Sequence, residues 1–200
     1  TTIILATIVL IMLFVGGVPV KPLVVFSGSL VSLATLLAFS ASYRLRRLTA
    51  FVDPWADPLN RGFQTIQSQV GFANGGILGT GLGQGRAKWG FLPEAHTDFI
   101  YAIIGEEIGL LGSVLVIGLF LAFAFYGVRT VLRARDRFGM LLATGITTWI
   151  LIQAFVNLGA CVGRLPITGV PLPFVSAGGS SLIFTMAASG ILLNIARQER

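Results

Sequence analysis

The chain alternates between long apolar runs and shorter stretches in which polar residues gather. Five runs predict membrane-spanning helices, because about 20 mostly apolar residues cross the hydrocarbon core of a bilayer. They cover residues 3–18, 23–41, 99–128, 140–162 and 174–196. The third run is longer than one crossing needs, so its helix should tilt or project beyond the membrane. The pattern predicts an all-α fold, a polytopic transmembrane helical bundle.

The stretch from residue 43 to residue 97 does not fit this pattern. Gln and Asn residues interrupt its moderately apolar part, and glycines cluster between residues 71 and 85. Non-helical backbone survives at membrane depth only where protein or water covers it. We therefore predict a long extracytoplasmic loop that contains a short amphipathic or re-entrant helix near residues 62–80. The alternative is a sixth, poor span over residues 62–83.

Arginine positions indicate how the bundle is oriented. Arginines gather in the short connection between the third and fourth runs and in the C-terminal tail: Arg129, Arg133, Arg135, Arg137, Arg197 and Arg200. Because Lys and Arg accumulate in cytoplasmic loops, this side is predicted to be cytoplasmic, and residues 43–97 and 163–173 then face outward. A second cluster fits that assignment poorly, since it lies in the long loop: Arg44, Arg46 and Arg47. Long loops, however, obey the charge rule weakly.

Composition agrees with a membrane protein. The chain is 54% hydrophobic and 11% charged, whereas soluble domains carry about 25% charged residues. A net charge of +6 favours contact with anionic lipid headgroups or phosphate-bearing ligands. The sequence contains no nucleic-acid-binding module, so we expect no nucleic acid partner. The single cysteine, Cys161, excludes a disulfide within the chain and is interpreted as a small apolar residue near a helix end.

Half of the eight acidic residues lie in the stretch FLPEAHTDFIYAIIGEE, residues 91–107. Asp98 stands where the long loop meets the third apolar run, and two interpretations of it remain open. In the first, Asp98 or the neighbouring Thr97 caps a helix N-terminus, where side-chain oxygens accept hydrogen bonds from backbone N–H groups. In the second, Asp98 is a general base at the mouth of a membrane cavity.

Other polar residues surround Asp98 in the sequence. Glu94 lies four residues earlier and would share a helix face with it, so the pair could divide roles, bind a divalent cation or repel each other. The single histidine, His96, is more often a hydrogen-bonded interface residue than a ligand, and no zinc-site spacing is present. Glu106 lies roughly 80° from Asp98 around a helix and Glu107 roughly opposite, which favours Glu106 as the member of the same cavity. The alternative is that both pair with arginines or backbone N–H groups elsewhere.

The stretch GRLPITGVPLPFVSAGGSS, residues 163–181, is a second candidate for chemistry. Glycine amides and serine hydroxyls at a helix N-terminus bind phosphate well. The candidate ligands are Ser176, Gly178, Gly179, Ser180 and Ser181. Basic residues on the outer side could grip a pyrophosphate: Arg44, Arg46, Arg47, Arg61, Arg86, Lys88 and Arg164. The alternative is an ordinary helix start beside a solvated loop.

Three motifs together carry a family resemblance: DPWADPLNRGFQTIQSQVGFANGGILGTGLGQG, FLPEAHTDFIYAIIGEEIGLLG and LPITGVPLPFVSAGGSSL. In order and separation they resemble the SEDS family of shape, elongation, division and sporulation proteins. Details such as AIIGEE and LLNIAR look more like its FtsW members, or their relative SpoVE, than like RodA. Ala177 departs from the resemblance, since many relatives have Tyr there. Family members have about ten spans, and this chain resembles their C-terminal half.

The resemblance implies a peptidoglycan glycosyltransferase of the bacterial cytoplasmic membrane, with its active site on the extracytoplasmic face. The substrate would be lipid II, a disaccharide-pentapeptide on undecaprenyl pyrophosphate. Asp98, in the HTDF motif, would be the catalytic residue and would remove the proton from the 4-hydroxyl of the acceptor sugar. Basic residues or a divalent cation, Mg or Mn, would stabilise the leaving pyrophosphate. Glu94 would tune Asp98 or help to hold the cation.

The resemblance also implies protein partners, namely a class B penicillin-binding protein, which is a transpeptidase, and other divisome or elongasome proteins. Two other functions stay open. A lipid II flippase would use inward-facing charges equally well, as a transport path. A non-catalytic scaffold for division-site assembly would neither move lipid II nor lengthen glycan.

Overall fold

The computed structural model describes residues 2–39, 51–60, 62–85 and 97–198. None of the residues in these ranges lies in a β-strand, and the all-α prediction is confirmed. Several residues named above lie outside the described residues, so what was predicted for them stays a prediction: Arg44, Arg46, Arg47, Arg61, Arg86, Lys88, Glu94, His96 and Arg200.

Seven α-helices of eight or more residues follow one another in the described part of the chain. The first two are α1, Thr2–Val15, and α2, Val20–Phe39. The long loop holds a short 3-10 helix, Pro54–Ala56, and α3, Phe63–Gly75. The remaining four are α4, Ile100–Glu107, α5, Gly109–Arg133, α6, Arg137–Cys161, and α7, Gly179–Arg197.

Three of these helices, α5, α6 and α7, are long and apolar enough to cross a membrane. Shorter apolar helical stretches lie at Ile4–Val15 and Val20–Leu33. Large apolar side chains on α5 and α7 are exposed, Leu119 and Leu193 among them, which suits contact with lipid tails. The central helix is α6, since it packs against α1, α3, α4, α5 and α7.

The beginning of α6 lies beside the end of α1. Asp136 is its N-cap, and the Asp136 carboxylate accepts a hydrogen bond from Gly139 N–H at 3.1 Å. Arg137 Nη2 donates to the carbonyl of Gly16 at 2.9 Å, so the end of α1 lies beside the beginning of α6. Five crossings would put these two ends on the same side of the membrane, and a sixth crossing over residues 62–83 would put them on opposite sides. The five-span arrangement stays a prediction.

The helix α3 has 13 residues, which rise about 20 Å. It lies against α4 and α6, and Ser68 Oγ donates to the carbonyl of Cys161 at 2.6 Å. The short helix predicted within the long loop is therefore a helix packed on the bundle.

The third apolar run does not form the single helix predicted for residues 99–128. It is divided into α4 and α5 at Ile108 and Gly109. Gly109 has a left-handed backbone, with a φ of +73°, and a Cβ there would come within 2.4 Å of the backbone nitrogen of Gly79. The sequence gives no warning of this division, because an isolated glycine is tolerated in a helical pattern.

The glycine turn, residues 75–85, supplies hydrogen-bond partners for backbone groups at the break between α4 and α5. Four backbone hydrogen bonds join the two segments: Thr80 N–H to Glu106 O at 2.9 Å, Gly81 N–H to Glu107 O at 3.0 Å, Leu110 N–H to Gly76 O at 2.9 Å and Leu111 N–H to Ile77 O at 3.4 Å. Helix ends lack intrahelical partners for such groups, and at membrane depth the partners have to come from protein. A Cβ at Gly79 would come within 2.1 Å of the carbonyl of Glu107, so the close approach requires glycine.

Two buried clusters form the core of the described residues. The first joins α4, the C-terminal half of α6 and the loop after it: Phe99, Tyr101, Ala102, Ile103, Ala154, Cys161 and Leu172. The second joins α6 to α7: Ala143, Ile146, Ile150 and Leu192. Phe120 of α5 packs against both. The first cluster therefore fixes the residues before α4 to the C-terminal half of α6.

Candidate active site at the Asp98 turn

Asp98 lies in a turn directly before α4, residues 97–99, which we call the Asp98 turn. The N-cap of α4 is Phe99, with φ −116° and ψ 20°, and its carbonyl accepts a hydrogen bond from Ala102 N–H at 2.9 Å. The N-cap residue is therefore Phe99, and not Asp98 or Thr97. Phe99 takes that position because its ring is buried in the first core cluster, only 1% exposed. The Asp98 side chain, one residue earlier, is half-buried.

Three side chains from other segments hold the main chain of the Asp98 turn. Asn157 Nδ2 donates to the carbonyl of Asp98 at 2.7 Å, and the Cys161 thiol donates to the same carbonyl at 3.5 Å. Ser176 Oγ donates to the carbonyl of Thr97. Asn157 and Cys161 lie one turn apart on α6 and are both buried. The position of Asp98 is therefore set by side chains of α6 and of the loop that follows it.

Two of these side chains also hold the loop after α6. Asn157 Nδ2 donates to the carbonyl of Val170 at 2.7 Å, so its amide nitrogen bonds to both segments. Ser176 Oγ accepts a hydrogen bond from Leu172 N–H at 2.7 Å while it donates to Thr97. We call Asn157 and Ser176 the clamp, because each joins the Asp98 turn to the loop after α6.

Sequence reasoning missed Asn157 and its neighbour Gln153. Gln153 lies one turn earlier on α6, and its Nε2 donates to the carbonyl of Pro171 at 3.3 Å. Both residues interrupt an apolar run at a spacing of four, which places them on the same helix face. Polar side chains within a membrane-spanning run usually face protein, and this pattern is the signal that could have identified them.

The Asp98 carboxylate faces the loop after α6 at Gly169. A Cβ at Gly169 would lie 3.3 Å from Asp98 Oδ2, and Gly169 has a φ of +68°. Both features favour glycine, which has no side chain between the loop and the carboxylate. Gly169 and Thr168 are exposed. The Asp98 carboxylate is thus half-buried and lies beside an exposed stretch of loop.

Glu106 and Glu107 face the glycine turn. Glu106 is 2% exposed, and a Cβ at Gly85 would lie 3.0 Å from Glu106 Oε2. Glu107 Oε2 accepts a hydrogen bond from Gly83 N–H at 3.0 Å. For Glu107 this is the alternative given by the sequence analysis, in which the carboxylate pairs with a backbone N–H group. Eight residues of helix separate Asp98 from Glu106, about 12 Å. The structure thus places Asp98 against the loop after α6 and Glu106 against the glycine turn.

The Gly-Gly-Ser-Ser stretch forms the beginning of α7. Gly178 is the N-cap, with φ −88° and ψ 94°, and the helix begins at Gly179. Gly179 and Ser180 are exposed, and Ser181 is half-buried. Exposed amides at the N-terminus of a helix of this length favour an anion. Arg164 is exposed directly after α6. Unlike these residues, Ser176 is buried and holds the loop.

The described ranges contain no group of three or more His, Cys, Asp and Glu side chains that could hold a metal ion. Glu94, the second candidate ligand beside Asp98, lies outside them. The divalent cation, Mg or Mn, therefore stays a prediction.

Both the sequence and the structure of this chain are similar to those of known proteins. A family model described as "Cell cycle protein", which covers FtsW, RodA and SpoVE, matches residues 1–200. A "Probable peptidoglycan glycosyltransferase FtsW" of Geobacter metallireducens is 48% identical over 195 residues, 96% of this chain and 52% of the relative. "Stage V sporulation protein E" of Bacillus subtilis is 45% identical over 193 residues, again 96% and 52% of the two chains. The chain spans about half the length of these curated relatives.

A solved structure has the same fold. It is described as "Structural coordination of polymerization and crosslinking by a peptidoglycan synthase complex". The TM-score is 0.77 at 31% sequence identity, and the match covers 98% of this chain and 54% of the other.

Proposed function

Because the chain belongs to the FtsW, RodA and SpoVE family of cell cycle proteins, we propose that the full-length protein is a peptidoglycan glycosyltransferase that polymerises lipid II. The resemblance to the SEDS family is confirmed by this membership, and the names of the FtsW relatives carry that activity. The apolar helices make it a multi-pass membrane protein. We propose the bacterial cytoplasmic membrane as its location, with the Asp98 turn on the outer face.

The observation that carries this proposal is the anchored main chain of the Asp98 turn. Buried donors on α6 and on the loop after it hold the carbonyls of residues 97 and 98, and the carboxylate faces Gly169. A catalytic group has to stay within about 0.5 Å of its productive position, and supporting hydrogen bonds provide that order. The same turn leaves the carboxylate beside the exposed residues Thr168 and Gly169.

In the proposed reaction, Asp98 is the general base. Its carboxylate takes the proton from the 4-hydroxyl of the acceptor sugar, and the oxygen attacks the anomeric carbon of the donor glycan. The bond from that carbon to undecaprenyl pyrophosphate breaks, and the pyrophosphate leaves with the bonding electron pair. Positioned proton transfer of this kind contributes typically ~10²–10⁴-fold to a rate.

The leaving pyrophosphate needs positive charge or hydrogen-bond donors. The exposed amides of Gly179 and Ser180 at the beginning of α7 supply donors and the positive end of a helix dipole. Arg164 supplies a cation after α6. Arg86 and Lys88 are further candidates, as is a divalent cation held by Asp98 and Glu94.

The description of the solved structure joins polymerization to crosslinking in one synthase complex, which supports a crosslinking partner for this protein. We propose a class B penicillin-binding protein as the corresponding partner here, since a transpeptidase crosslinks the strands that a glycosyltransferase makes. Other divisome or elongasome proteins would join the same assembly.

Reconstitution of the purified full-length protein tests this function. Vesicles that contain the protein and fluorescent lipid II, with and without the partner, are sampled over time for glycan length and for lipid II movement across the bilayer. We expect glycan strands that lengthen with time. A flippase would move lipid II without lengthening glycan, and a scaffold would do neither, so either result would contradict the proposal.

A further inference from the structure

A cavity of about 550 Å³ opens between the C-terminal halves of α5 and α7. Its walls are mostly apolar and include Phe123, Phe174, Leu192 and Leu193. Arg129 lines it as well. Apolar cavities of ~300–1,000 Å³ with few polar groups are typical of sites for small molecules.

The cavity occupies one half of the membrane depth. Phe123 lies ten residues before the end of α5 at Arg133, which is about 15 Å of helix and half of a ~30 Å hydrocarbon core. Arg129 lies four residues before that end, about 6 Å from it. The arginine-rich connection after α5 assigns this end to the cytoplasmic interface. The cavity therefore has the height of one lipid leaflet.

We propose that this cavity binds an anionic phospholipid of the cytoplasmic leaflet. One acyl chain lies along Phe123 and Leu193, and the phosphate pairs with Arg129. Basic pockets between membrane helices on the cytoplasmic side bind anionic headgroups in this way. The planar guanidinium suits the phosphate, because it can donate two parallel hydrogen bonds to it.

A helix from the part of the relatives that this chain does not span is the other candidate occupant. Arg129 favours the lipid over such a helix. An apolar helix over the cavity would offer no opposite charge to the Arg129 guanidinium. A lipid phosphate neutralises that charge.

Phe174 connects the cavity to the clamp. Its ring centroid lies 5.9 Å from that of Phe123, and its backbone is left-handed with a φ of 66°, which is uncommon for a residue other than glycine. It stands between Leu172 and Ser176, which bond to each other beside the Asp98 turn. A lipid against Phe174 therefore contacts the loop that holds Asp98. An effect on catalysis rests on the proposed function, whereas lipid binding does not.

Photo-crosslinking tests the lipid site. The full-length protein is reconstituted in phosphatidylcholine vesicles with a trace of phosphatidylglycerol that carries a photoreactive acyl chain, and the adducts are mapped by mass spectrometry. We expect adducts on α5 and α7 around Phe123 and Leu193. Unlabelled phosphatidylglycerol should compete for them, and additional phosphatidylcholine should not.

Arg129→Gln should lower the adduct yield about fivefold, the size expected for one headgroup contact. Arg133→Gln is the matched control, because Arg133 lies one turn further along α5 and does not line the cavity. Leu193→Trp should also lower the yield, since it fills the cavity. Ile191→Trp, on an exposed position of the same helix, should not.

Three results would overturn the proposal. The first is an adduct yield with photoreactive phosphatidylcholine equal to that with phosphatidylglycerol, and the second is an unchanged yield in Arg129→Gln. The third is that adducts form only on helices other than α5 and α7, as expected if protein covers the cavity. The thermal midpoint of each variant in phosphatidylcholine alone shows whether a lower yield reflects unfolding. Adducts in a protein that polymerises no glycan would support the lipid site and contradict only the proposed function.

Discussion

The Asp98 turn and the glycine turn are both non-helical segments packed against helices, but different groups hold them. Side chains hold the Asp98 turn, chiefly Asn157 and Ser176. Backbone groups hold the glycine turn, whose amides and carbonyls bond to the ends of α4 and α5. At Gly79 the two main chains lie so close that a single Cβ would collide with the carbonyl of Glu107.

This difference indicates that the glycine turn serves the fold, whereas the Asp98 turn and its clamp serve the site. A change in the glycine turn disturbs the facing ends of two helices, so it should affect folding before function. The bonds of the clamp can be removed one at a time without a steric collision. A change in the clamp should therefore shift the Asp98 carboxylate within a folded protein and affect catalysis more than stability.

The largest loss of stability is expected for Gly79→Ala. The added Cβ would come within 2.1 Å of the carbonyl of Glu107, at a backbone φ of +80° that disfavours any side chain. We expect a cost of about 3 kcal/mol or more in the free energy of unfolding. The measurement is the thermal midpoint and the membrane level of the full-length variant.

Gly118→Ala provides the control for that substitution. Gly118 lies within α5, and a Cβ there would meet nothing within 4 Å. Alanine should stabilise the helix by up to about 1 kcal/mol, since it has the higher helix propensity. Equal thermal midpoints for the two variants would remove the distinction between the glycine turn and an ordinary helical glycine.

An intermediate loss of stability is expected for Asn157→Leu. The carbonyls of Asp98 and Val170 lose a buried donor, which costs about 1–3 kcal/mol. Displacement of Asp98 by about 1 Å should lower kcat for glycan polymerisation by about 10–100-fold, with little change in KM. Steady-state kinetics of the reconstituted protein, together with the thermal midpoint, would measure both effects.

Gln153→Leu is the matched control on the same face of α6. It removes one longer bond, to Pro171. It also removes Gln153 Oε1, a buried oxygen that has no hydrogen-bond partner among the described residues. The two changes should nearly cancel in stability, and kcat should stay near normal. If Gln153→Leu lowered kcat as much as Asn157→Leu, general packing of α6 would explain both, and the clamp would have no special role.

The smallest effect is expected for Glu107→Gln. The amide oxygen of Gln can still accept the hydrogen bond from Gly83 N–H. The free energy of unfolding should change by no more than about 0.5 kcal/mol, and glycan polymerisation should stay normal. A loss of polymerisation without a loss of stability would show that the glycine turn has a role in catalysis and would contradict a purely structural role.

The apolar runs predict the helices of the bundle because length and composition are local properties of the sequence. The division between α4 and α5 could not be predicted in that way. The stretch IYAIIGEEIGLLG keeps its apolar pattern across Gly109, and the groups that stabilise the division lie in the glycine turn, about 30 residues earlier in the chain. A long-range contact of this kind leaves no periodic signal.

For the candidate site, too, some features can be predicted from the local sequence and others depend on long-range contacts. The HTDF motif identifies Asp98, and its place before an apolar run allows a helix cap as well as a general base. Phe99 takes the N-cap because burial of its ring decides where α4 begins. Asn157 carries a local signal, a polar side chain in an apolar run, but its partners in the Asp98 turn and near Val170 are visible only in the folded chain.

The central claim is that the clamp holds Asp98 as a general base, and the most direct test is lipid II polymerisation by full-length Asp98→Asn with its partner present. Asn is nearly isosteric with Asp, and the hydrogen bond from Asn157 goes to the backbone of residue 98, so the thermal midpoint and the membrane level should stay near normal. Asn cannot accept a proton at neutral pH, and the rate should fall by about 10²–10⁴ or more. Glu94→Gln should do less. A near-normal rate and glycan length for the Asn variant would contradict the account.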